Sequence, residues 1–178
     1  MSLEFAQSCI AQIPDYPIAG VVFKDVTPIA ANSVALLSVL EAIASHFESA
    51  NVTQIAGIEA RGFIFGAALA AHMGVGFVPI RKSGKLPRET HRREYQLEYG
   101  VDAIEIHTDA VSTGDRVLVI DDVLATGGTA CAALSLIEQC DATVVGIAVL
   151  LNLEFLGGSL KVTQEFPTCD VFTVFPDA

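Results

Sequence analysis

The chain has 178 residues, 52% of them hydrophobic, which is enough to bury the core of one domain without disulfide or metal support. Its 21 acidic residues outnumber its 10 basic ones and leave a formal charge of -11, so the chain would repel a polyanion such as nucleic acid. We therefore expect a single domain over residues 1–178 with no nucleic-acid partner.

The cysteines and the N-terminal segment indicate a cytoplasmic protein. The four cysteines form no CxxC pair and no Cys/His cluster of the kind that zinc requires, so we interpret them as buried apolar residues in a reducing compartment. No basic residue precedes an apolar stretch at the N-terminus, as a secretory signal would need. Residues 62–80 lack charged side chains, but their glycines and Pro79 favour a helix and a buried strand over a membrane span.

The N-terminal half of the chain predicts a short cap followed by alternating helices and strands. Residues 3–13 favour a helix that ends before Pro14. Between Asn32 and Ser49, apolar residues recur at three- and four-residue intervals, which predicts a helix with one buried face. We expect that face to carry Val34, Leu37, Leu40, Ile43, Ala44 and Phe47. The sequence then favours a strand at 54–59, a helix at 62–73 and a strand at 76–82.

The C-terminal half continues this alternation after a charged segment. Residues 83–94 are polar and charged, which predicts a long mobile loop, and such loops in compact domains are usually functional. Residues 95–99 and 101–107 can pair as a hairpin at its base. Strands are favoured at 116–122 and 143–152, with a helix at 129–140 between them. Apolar strands that alternate with helices predict an α/β fold with a parallel sheet covered on both faces.

The segment VLVIDDVLATGGT, from Val117 to Thr129, brings two carboxylates and a glycine turn to the end of a strand. Open α/β sheets bind ligands at the carboxyl ends of their strands. Asp121 and Asp122 can accept hydrogen bonds from a sugar diol or hold a divalent cation through water. The turn that follows offers backbone N–H groups at a helix N-terminus to a phosphate. It comprises Ala125, Thr126, Gly127, Gly128 and Thr129. The alternative is an ordinary turn with surface acids.

Six of the ten basic residues lie between Arg81 and Arg93, and Glu89 is the only acid among them. These six residues are Arg81, Lys82, Lys85, Arg88, Arg92 and Arg93. In an otherwise acidic protein such a cluster attracts a small polyanion, for which pyrophosphate is the natural candidate. A solvated charged loop without a ligand is the alternative.

These segments together resemble the type I phosphoribosyltransferases. VLVIDDVLATGGT is similar to the signature with which that family binds phosphoribosyl diphosphate. Four further motifs resemble the members that use adenine: PDYPIAGVVFKDVTPI from Pro14, GIEARGFIFG from Gly57, PIRKSGKLP from Pro79 and YQLEYG from Tyr95. The resemblance covers about Leu3 to Val174. It implies a parallel sheet flanked by helices, a small hood formed by about residues 1–30, and a mobile catalytic loop.

The resemblance also implies roles for residues outside the Asp121–Asp122 segment. Pyrophosphate would be bound by Glu59, Ala60, Arg61, Arg81, Lys82 and Lys85, with a strained backbone between Glu59 and Ala60. Adenine would be held by Val22, Phe23, Lys24 and Leu124, with Phe23 stacked on its ring. Arg61 and Glu98 would be catalytic, Glu98 as an acid/base for the purine. Each has an alternative: a surface salt bridge for Arg61, a core residue for Phe23 and a solvent-facing strand residue for Glu98.

The implied reaction transfers a 5-phosphoribosyl group from phosphoribosyl diphosphate to adenine and gives AMP and pyrophosphate. The implied cofactor is Mg²⁺, held mainly by the substrate, with Asp121 and Asp122 reached through water rather than as direct ligands. A homodimer is also implied. Two alternatives stay open at this point, namely transfer to another purine and a non-catalytic regulator that senses phosphoribosyl diphosphate. The regulator is disfavoured because most basic residues lie in one loop rather than on a DNA-binding face.

Overall fold

The structure consists of a large mixed sheet covered by helices on both faces and a small separate sheet. The computed structural model describes residues 2–96 and 100–176. Its helices are α1 (Leu3–Ser8), α2 (Thr27–Ala31), α3 (Ser33–His46), α4 (Arg61–Met73), α5 (Gly128–Gln139) and α6 (Gly158–Glu165). Its strands are β1 (Ala11–Pro14), β2 (Val22–Asp25), β3 (Gln54–Ile58), β4 (Gly76–Lys82), β5 (Thr90–Gln96), β6 (Val101–His107), β7 (Arg116–Leu124), β8 (Thr143–Asn152) and β9 (Asp170–Thr173).

Within the described residues, the large sheet has the strand order β5-β6-β4-β3-β7-β8-β9. Strands β4, β3, β7, β8 and β9 run parallel, and β6 pairs antiparallel with both β4 and β5. The α/β class is confirmed, and the predicted hairpin forms an antiparallel edge on an otherwise parallel sheet. Because β3, β4 and β7 are parallel, the residues that follow them meet at one edge of the sheet.

Helix α3 begins where the sequence predicts, and it buries Leu40, Ile43 and Phe47 as predicted, but not the whole predicted face. The Asn32 side chain accepts hydrogen bonds from the N–H groups of Val34 and Ala35, at 3.0 and 3.1 Å, and so caps the first turn. Val34 and Leu37 are 44% and 41% exposed, so their predicted burial is wrong. The helix is apolar on more than one face, and its packing against α1 and α4 selects which side is covered.

The predicted helix over residues 3–13 is wrong in its second half. Helix α1 ends at Ser8, and Ala11–Pro14 forms β1, which pairs antiparallel with β2. Strand β1 pairs with Val22 to Asp25, which lie on the other side of a loop. Local residue propensities do not reveal a pairing between separate segments of the chain. Strands β1 and β2 with their connecting loop form the expected hood.

The predicted loop over residues 83–94 is wrong from Thr90 onward. Thr90 begins β5, which pairs along its whole length with β6, and only residues 83–89 connect β4 to β5. Strand β5 lies at the edge of the sheet with Arg92 and Arg93 exposed, so it shows none of the apolar alternation that reveals a half-buried strand. Charged residues on an edge strand also discourage pairing with a second molecule.

The structure also differs from the sequence prediction in one strand end, in three additional elements and in the burial of one cysteine. Strand β7 extends to Leu124, beyond the predicted end at 122, while α2, α6 and β9 were not predicted. Cys131, Cys140 and Cys169 are buried as interpreted, whereas Cys9 is only partly buried. None of the described helices is both long enough and apolar enough to cross a bilayer.

Candidate active site

A cleft of about 370 Å³ opens where β3, β4 and β7 end. Its walls come from residues 58–61 after β3, Lys82 at the end of β4, and residues 121–123 of β7, with Ala125 and Thr129 beyond them. Phe23 of the hood and Tyr95 of β5 complete it. The cleft therefore brings together residues predicted to bind a ribose, a diphosphate and a purine, as ligand sites at the carboxyl edge of a sheet do.

The turn after β7 encloses a smaller cavity of about 70 Å³, lined by residues 123–130. Gly127 has a φ of +80°, a backbone conformation that favours glycine, and it caps the N-terminus of α5. The first N–H groups of a helix have no partner within the helix, and the helix dipole adds positive potential there. This geometry suits a phosphate, as predicted for residues 125–129.

The paired aspartates differ in their surroundings. Asp122 has a side chain only 8% exposed and accepts a hydrogen bond from Arg61 Nε. Burial, together with the neighbouring Asp122 carboxylate, raises the pKa of Asp121 well above its usual value. Carboxyl oxygens accept hydrogen bonds, so the pair offers acceptors to the two hydroxyl groups of a diol.

Gly62 allows Arg61 to lie beside the aspartates. A Cβ on Gly62 would lie 2.7 Å from the Ile120 carbonyl oxygen and 3.2 Å from Asp121 Oδ1. Only glycine lets the first turn of α4 approach β7 this closely. Arg61 keeps its charge there, because hydrogen bonding and Coulomb attraction to Asp122 outweigh the lowering effect of burial and raise its pKa.

Glu59 gathers several of the predicted cations. Its carboxylate, 10% exposed, accepts hydrogen bonds from Lys85 Nζ at 2.5 Å, from the Lys82 backbone N–H at 3.0 Å and from Arg81 Nε at 3.3 Å. Burial acts to raise the pKa of Glu59, but these hydrogen bonds prevail and lower it to about 2. Glu59, Arg61 and Lys82 line the cleft, whereas Arg81 and Lys85 are paired with Glu59 and are not among the lining residues.

Two other members of the basic cluster are also paired with carboxylates from β6 and the residues after it. Lys82 Nζ lies 3.2 Å from Asp102 Oδ2, and Arg88 Nη1 donates to Asp109 at 2.6 Å. Carboxylates from other parts of the chain therefore offset much of the positive charge that the sequence concentrates in one segment. The peptide bond between Glu59 and Ala60, where the resemblance placed an unusual backbone, is cis.

An apolar pocket of about 330 Å³ lies between the hood and the end of β8. Residues 21–24 form one side, and Val123, Leu151, Leu153 and Phe155 form the other. Phe23 lines both this pocket and the cleft, and Arg61 Cζ lies 5.9 Å from the centroid of its ring. An apolar slot beside a half-buried aromatic ring suits a flat heterocycle such as a purine.

Leu124 does not face this pocket. It is 2% exposed and packs in the core on the α5 side of the sheet, whereas Val123 lines both the pocket and the cleft. Successive residues of a strand point to opposite faces, so an error of one position transfers the predicted role to the wrong side. The structure places Val123 where the sequence analysis placed Leu124.

One predicted residue lies outside the described part of the chain, and two residues that line the site were not predicted. Glu98, predicted as an acid/base, lies outside the part of the chain that the structure describes. Tyr95 was not assigned a role, yet its ring lines the cleft and its hydroxyl donates to Asp102 at 3.2 Å. Its position in the YQLEYG motif was the available signal. Phe155, 84% exposed at the rim of the apolar pocket, had none.

The sequence and the fold of this chain are similar to those of known proteins. A family model described as phosphoribosyl transferase domain matches residues 25–172. The adenine phosphoribosyltransferase of Yersinia pseudotuberculosis is 49% identical over 167 residues, which cover 94% of this chain and 89% of the relative. The solved adenine phosphoribosyltransferase from Thermoanaerobacter pseudethanolicus superposes with a TM-score of 0.89 at 45% identity, covering 97% of this chain and 98% of its own. The Saccharomyces cerevisiae adenine phosphoribosyltransferase, solved with an imino-altritol bisphosphate and adenine, gives a TM-score of 0.89 at 38% identity and covers 97% of each chain.

Proposed function

The chain belongs to the adenine phosphoribosyltransferases of the phosphoribosyltransferase family, and we propose that its cleft carries out their reaction, from adenine and phosphoribosyl diphosphate to AMP and pyrophosphate. It is a pentosyltransferase of purine salvage. The observation that carries the proposal is the meeting of three subsites. The aspartate pair and the cations Arg61 and Lys82 line the cleft, the cavity of the 125–129 turn shares Asp121, Ala125 and Thr129 with it, and the apolar pocket shares Phe23 and Val123 with it.

The donor fits along the carboxyl edge of the sheet. Its 5-phosphate would occupy the 125–129 turn, where helix N–H groups and threonine hydroxyls are available. Its ribose diol would reach Asp121 and Asp122, whose carboxyl oxygens can accept hydrogen bonds from the hydroxyl groups. The diphosphate would then extend toward Arg61 and Lys82, whose charges match it.

Adenine fits between the hood and β7. Phe23 would stack on the ring from the hood side and Val123 would contact the opposite face, because both side chains line the same two cavities. The backbone groups of Val22 and Lys24 border the pocket and can read the edge of the base. Base recognition by main-chain atoms does not require a particular side chain at Lys24.

Catalysis of this reaction requires mainly electrostatic stabilisation of the transition state and positioning of the substrates. N9 of adenine attacks C1 of the ribose while the C1–O bond to pyrophosphate breaks, and the N9 proton is lost. The ribose becomes oxocarbenium-like and the leaving group carries the negative charge, which Arg61 and Lys82 would stabilise. Glu98 is proposed from the family resemblance as the group that manages the purine proton, while hood and loop exclude water.

Magnesium is proposed as a cofactor held mainly by the substrate. Among the residues that the structure describes, no three His, Cys, Asp or Glu side chains cluster as metal ligands. Asp121 and Asp122 nevertheless supply the hard oxygen donors that Mg²⁺ prefers, beside the proposed diol position. They would hold the ion through water. When bound, the ion neutralises charge on the departing pyrophosphate.

A cytoplasmic homodimer is also part of the proposal. All four cysteines are unpaired thiols, as expected in a reducing compartment. Val34 and Leu37 on α3 and Ile64 on α4 are more than 40% exposed, and apolar residues exposed on neighbouring helices support a partner surface. Light scattering coupled to size exclusion at micromolar concentration tests this, and a mass of 18.8 kDa would refute the dimer.

The proposed reaction is tested by a product assay. The purified protein is incubated with donor, Mg²⁺ and each of adenine, hypoxanthine, guanine and xanthine, and nucleotide products are separated by chromatography. We expect AMP from adenine and little product from the other bases. Turnover of guanine without adenine would refute the assignment of the base.

A further inference from the structure

Two glycine backbones meet behind the 125–129 turn. Gly158, the first residue of α6, is buried there, and a Cβ on it would lie 2.2 Å from the Ala125 carbonyl oxygen and 2.9 Å from Gly127 N. From the other side, a Cβ on Gly127 would lie 2.8 Å from the Gly158 carbonyl oxygen. Such distances are shorter than any that real Cβ atoms adopt. The two backbones therefore touch with no room for a side chain.

The segment that presents Gly158, residues 153–158, is itself held by hydrogen bonds. The Leu153 N–H donates to the Leu124 carbonyl at 2.8 Å, and Leu124 immediately precedes the turn. A short 3-10 turn follows at Glu154–Leu156, and the Gly157 N–H donates to the Glu154 carbonyl at 2.9 Å. The 153–158 segment is thus fixed to β7 at its start and pressed against the turn at its end.

The turn is sensitive to this contact because it acts through its backbone. A phosphate at a helix N-terminus is held by N–H groups, and a binding constellation tolerates displacement of only about 0.5 Å. The atoms that Gly158 contacts, the Ala125 oxygen and Gly127 N, belong to the peptide units that aim those N–H groups. Any side chain at position 158 must displace either the turn or the segment behind it.

We propose that Gly158 is a positioning residue for the 5-phosphate subsite, and that the 153–158 segment sets the shape of the phosphate-binding turn from behind. Gly158 touches no substrate atom; it acts through Ala125 and Gly127. The inference rests on the proposed function, which assigns the 5-phosphate to this turn. It predicts a defect at one subsite alone, because Arg61 at the start of α4 and Lys82 at the end of β4 belong to elements other than the turn and α6.

The test compares Gly158→Ala with Gly74→Ala, which adds the same methyl group at the far end of α4, outside the 153–158 segment. At Gly74 a Cβ meets nothing within 4 Å, but its φ of +71° strains alanine, so this control lowers thermal stability without contacting the turn. For Gly158→Ala we expect the donor KM and the dissociation constant of ribose 5-phosphate to rise on the order of 10- to 100-fold. The affinity for inorganic pyrophosphate, measured by calorimetry with Mg²⁺, should stay within about 2-fold. Gly74→Ala should leave all three near the wild-type values.

Two results would overturn the proposal. Ribose 5-phosphate binding as tight in Gly158→Ala as in the wild type would show that the contact is dispensable. An equal loss of ribose 5-phosphate and pyrophosphate binding would show general damage instead of positioning. Failure of the wild type to form AMP would refute the proposed function, whereas an active wild type with an unaffected Gly158→Ala variant refutes this inference alone.

If Gly158→Ala does not fold, hydrogen exchange on the wild-type protein decides the matter. Ribose 5-phosphate should slow amide exchange in the first turn of α6, where the Lys161 N–H donates to the Gly157 carbonyl at 3.0 Å, as well as in the 125–129 turn. Pyrophosphate should slow neither. Protection of the turn without protection of α6 would contradict the proposal.

Discussion

Arg61 and Asp122 are joined by a hydrogen bond from the guanidinium Nε to the carboxylate Oδ2, although Arg61 begins α4, Asp122 lies in β7, and the two were predicted to bind different parts of the donor. The Asp122 side chain is 8% exposed and that of Arg61 is 44% exposed. In this ion pair each residue satisfies the charge of the other. Under the proposed function, donor binding would replace the ion pair by a hydrogen bond from the diol to Asp122 and an ion pair between the diphosphate and Arg61.

Replacement of Asp122 by asparagine should raise the donor KM on the order of 10- to 100-fold, because the diol loses a charged acceptor and Arg61 loses the partner that orients it. Initial rates at saturating adenine and Mg²⁺ measure the effect. Asp109→Asn is the matched control, since Asp109 is also paired with an arginine of the basic cluster but is 62% exposed and lies outside the cleft. Unchanged kinetics in Asp122→Asn would refute its role.

Replacement of Lys82 by glutamine should weaken binding of pyrophosphate on the order of 10-fold, since a charge-assisted contact in the cleft is lost. Calorimetry with inorganic pyrophosphate and Mg²⁺ provides the measurement. Arg88→Gln, which removes a cation of the same cluster that is paired with Asp109, should bind pyrophosphate as the wild type does. Equal losses in both variants would mean that the cluster acts as a diffuse field instead of through Lys82.

Substitution of Val123 should change adenine binding, whereas substitution of Leu124 should change the stability of the fold. Val123→Ala should raise the adenine KM about 5-fold, because contact area under the base is lost. Leu124→Ala should lower the free energy of unfolding by about 2 to 5 kcal/mol, as for other large-to-small changes in a core. Adenine-dependent rates and urea denaturation distinguish the two. An adenine defect confined to Leu124→Ala would restore the role that the sequence first suggested.

The ionised carboxylate of Glu59 should stabilise the folded protein, and this stabilisation should disappear at low pH. Its pKa is lowered to about 2 in the folded protein, below the ordinary value of 4.5, so the folded state binds the proton less readily than the unfolded one. The contribution is complete above pH 4.5 and disappears as the pH falls toward about 2. We expect it to be about 1 to 2 kcal/mol, because solvent screens Lys85 and Arg81.

Urea denaturation of the wild type and of Glu59→Gln at pH 7, 4 and 3 measures this dependence. The difference between the two proteins should be largest at pH 7 and shrink at pH 3, because Glu59 of the unfolded chain, with its ordinary pKa of 4.5, is then mostly protonated, and this proton uptake favours unfolding. Glu48→Gln, at an exposed carboxylate, is the control and should follow the wild type. A difference that does not change with pH would contradict the pairing of Glu59 with the cations.

The features that the sequence predicted correctly are those encoded by neighbouring residues. Asp121, Asp122 and the glycines of the 125–129 turn are close in sequence, so one strand-turn-helix pattern predicts that they meet at the end of β7. The Asn32 cap and the apolar strands β3, β7 and β8 are equally local. Their alternation with helices was sufficient for the α/β class.

The features that were missed depend on contacts between distant segments. Asp102 neutralises Lys82 only because β6 pairs with β4, and Glu59 gathers cations only because β3 and β4 end side by side. Strand β5 has exposed charges and no apolar period. In the sequence Gly158 cannot be distinguished from other loop glycines, and only the structure shows that the Gly127 backbone packs against it. In each case the decisive information is a tertiary contact instead of a sequence pattern.

The most direct test of the account is AMP formation by the wild type and by Asp121→Asn/Asp122→Asn, both shown to be folded by circular dichroism. With adenine, phosphoribosyl diphosphate and Mg²⁺, we predict stoichiometric AMP and pyrophosphate from the wild type. The double variant should lose at least about 100-fold in kcat/KM for the donor, since diol recognition and the orientation of Arg61 are removed together. AMP formed by both proteins at the same rate, or by neither, would contradict the assignment of the cleft.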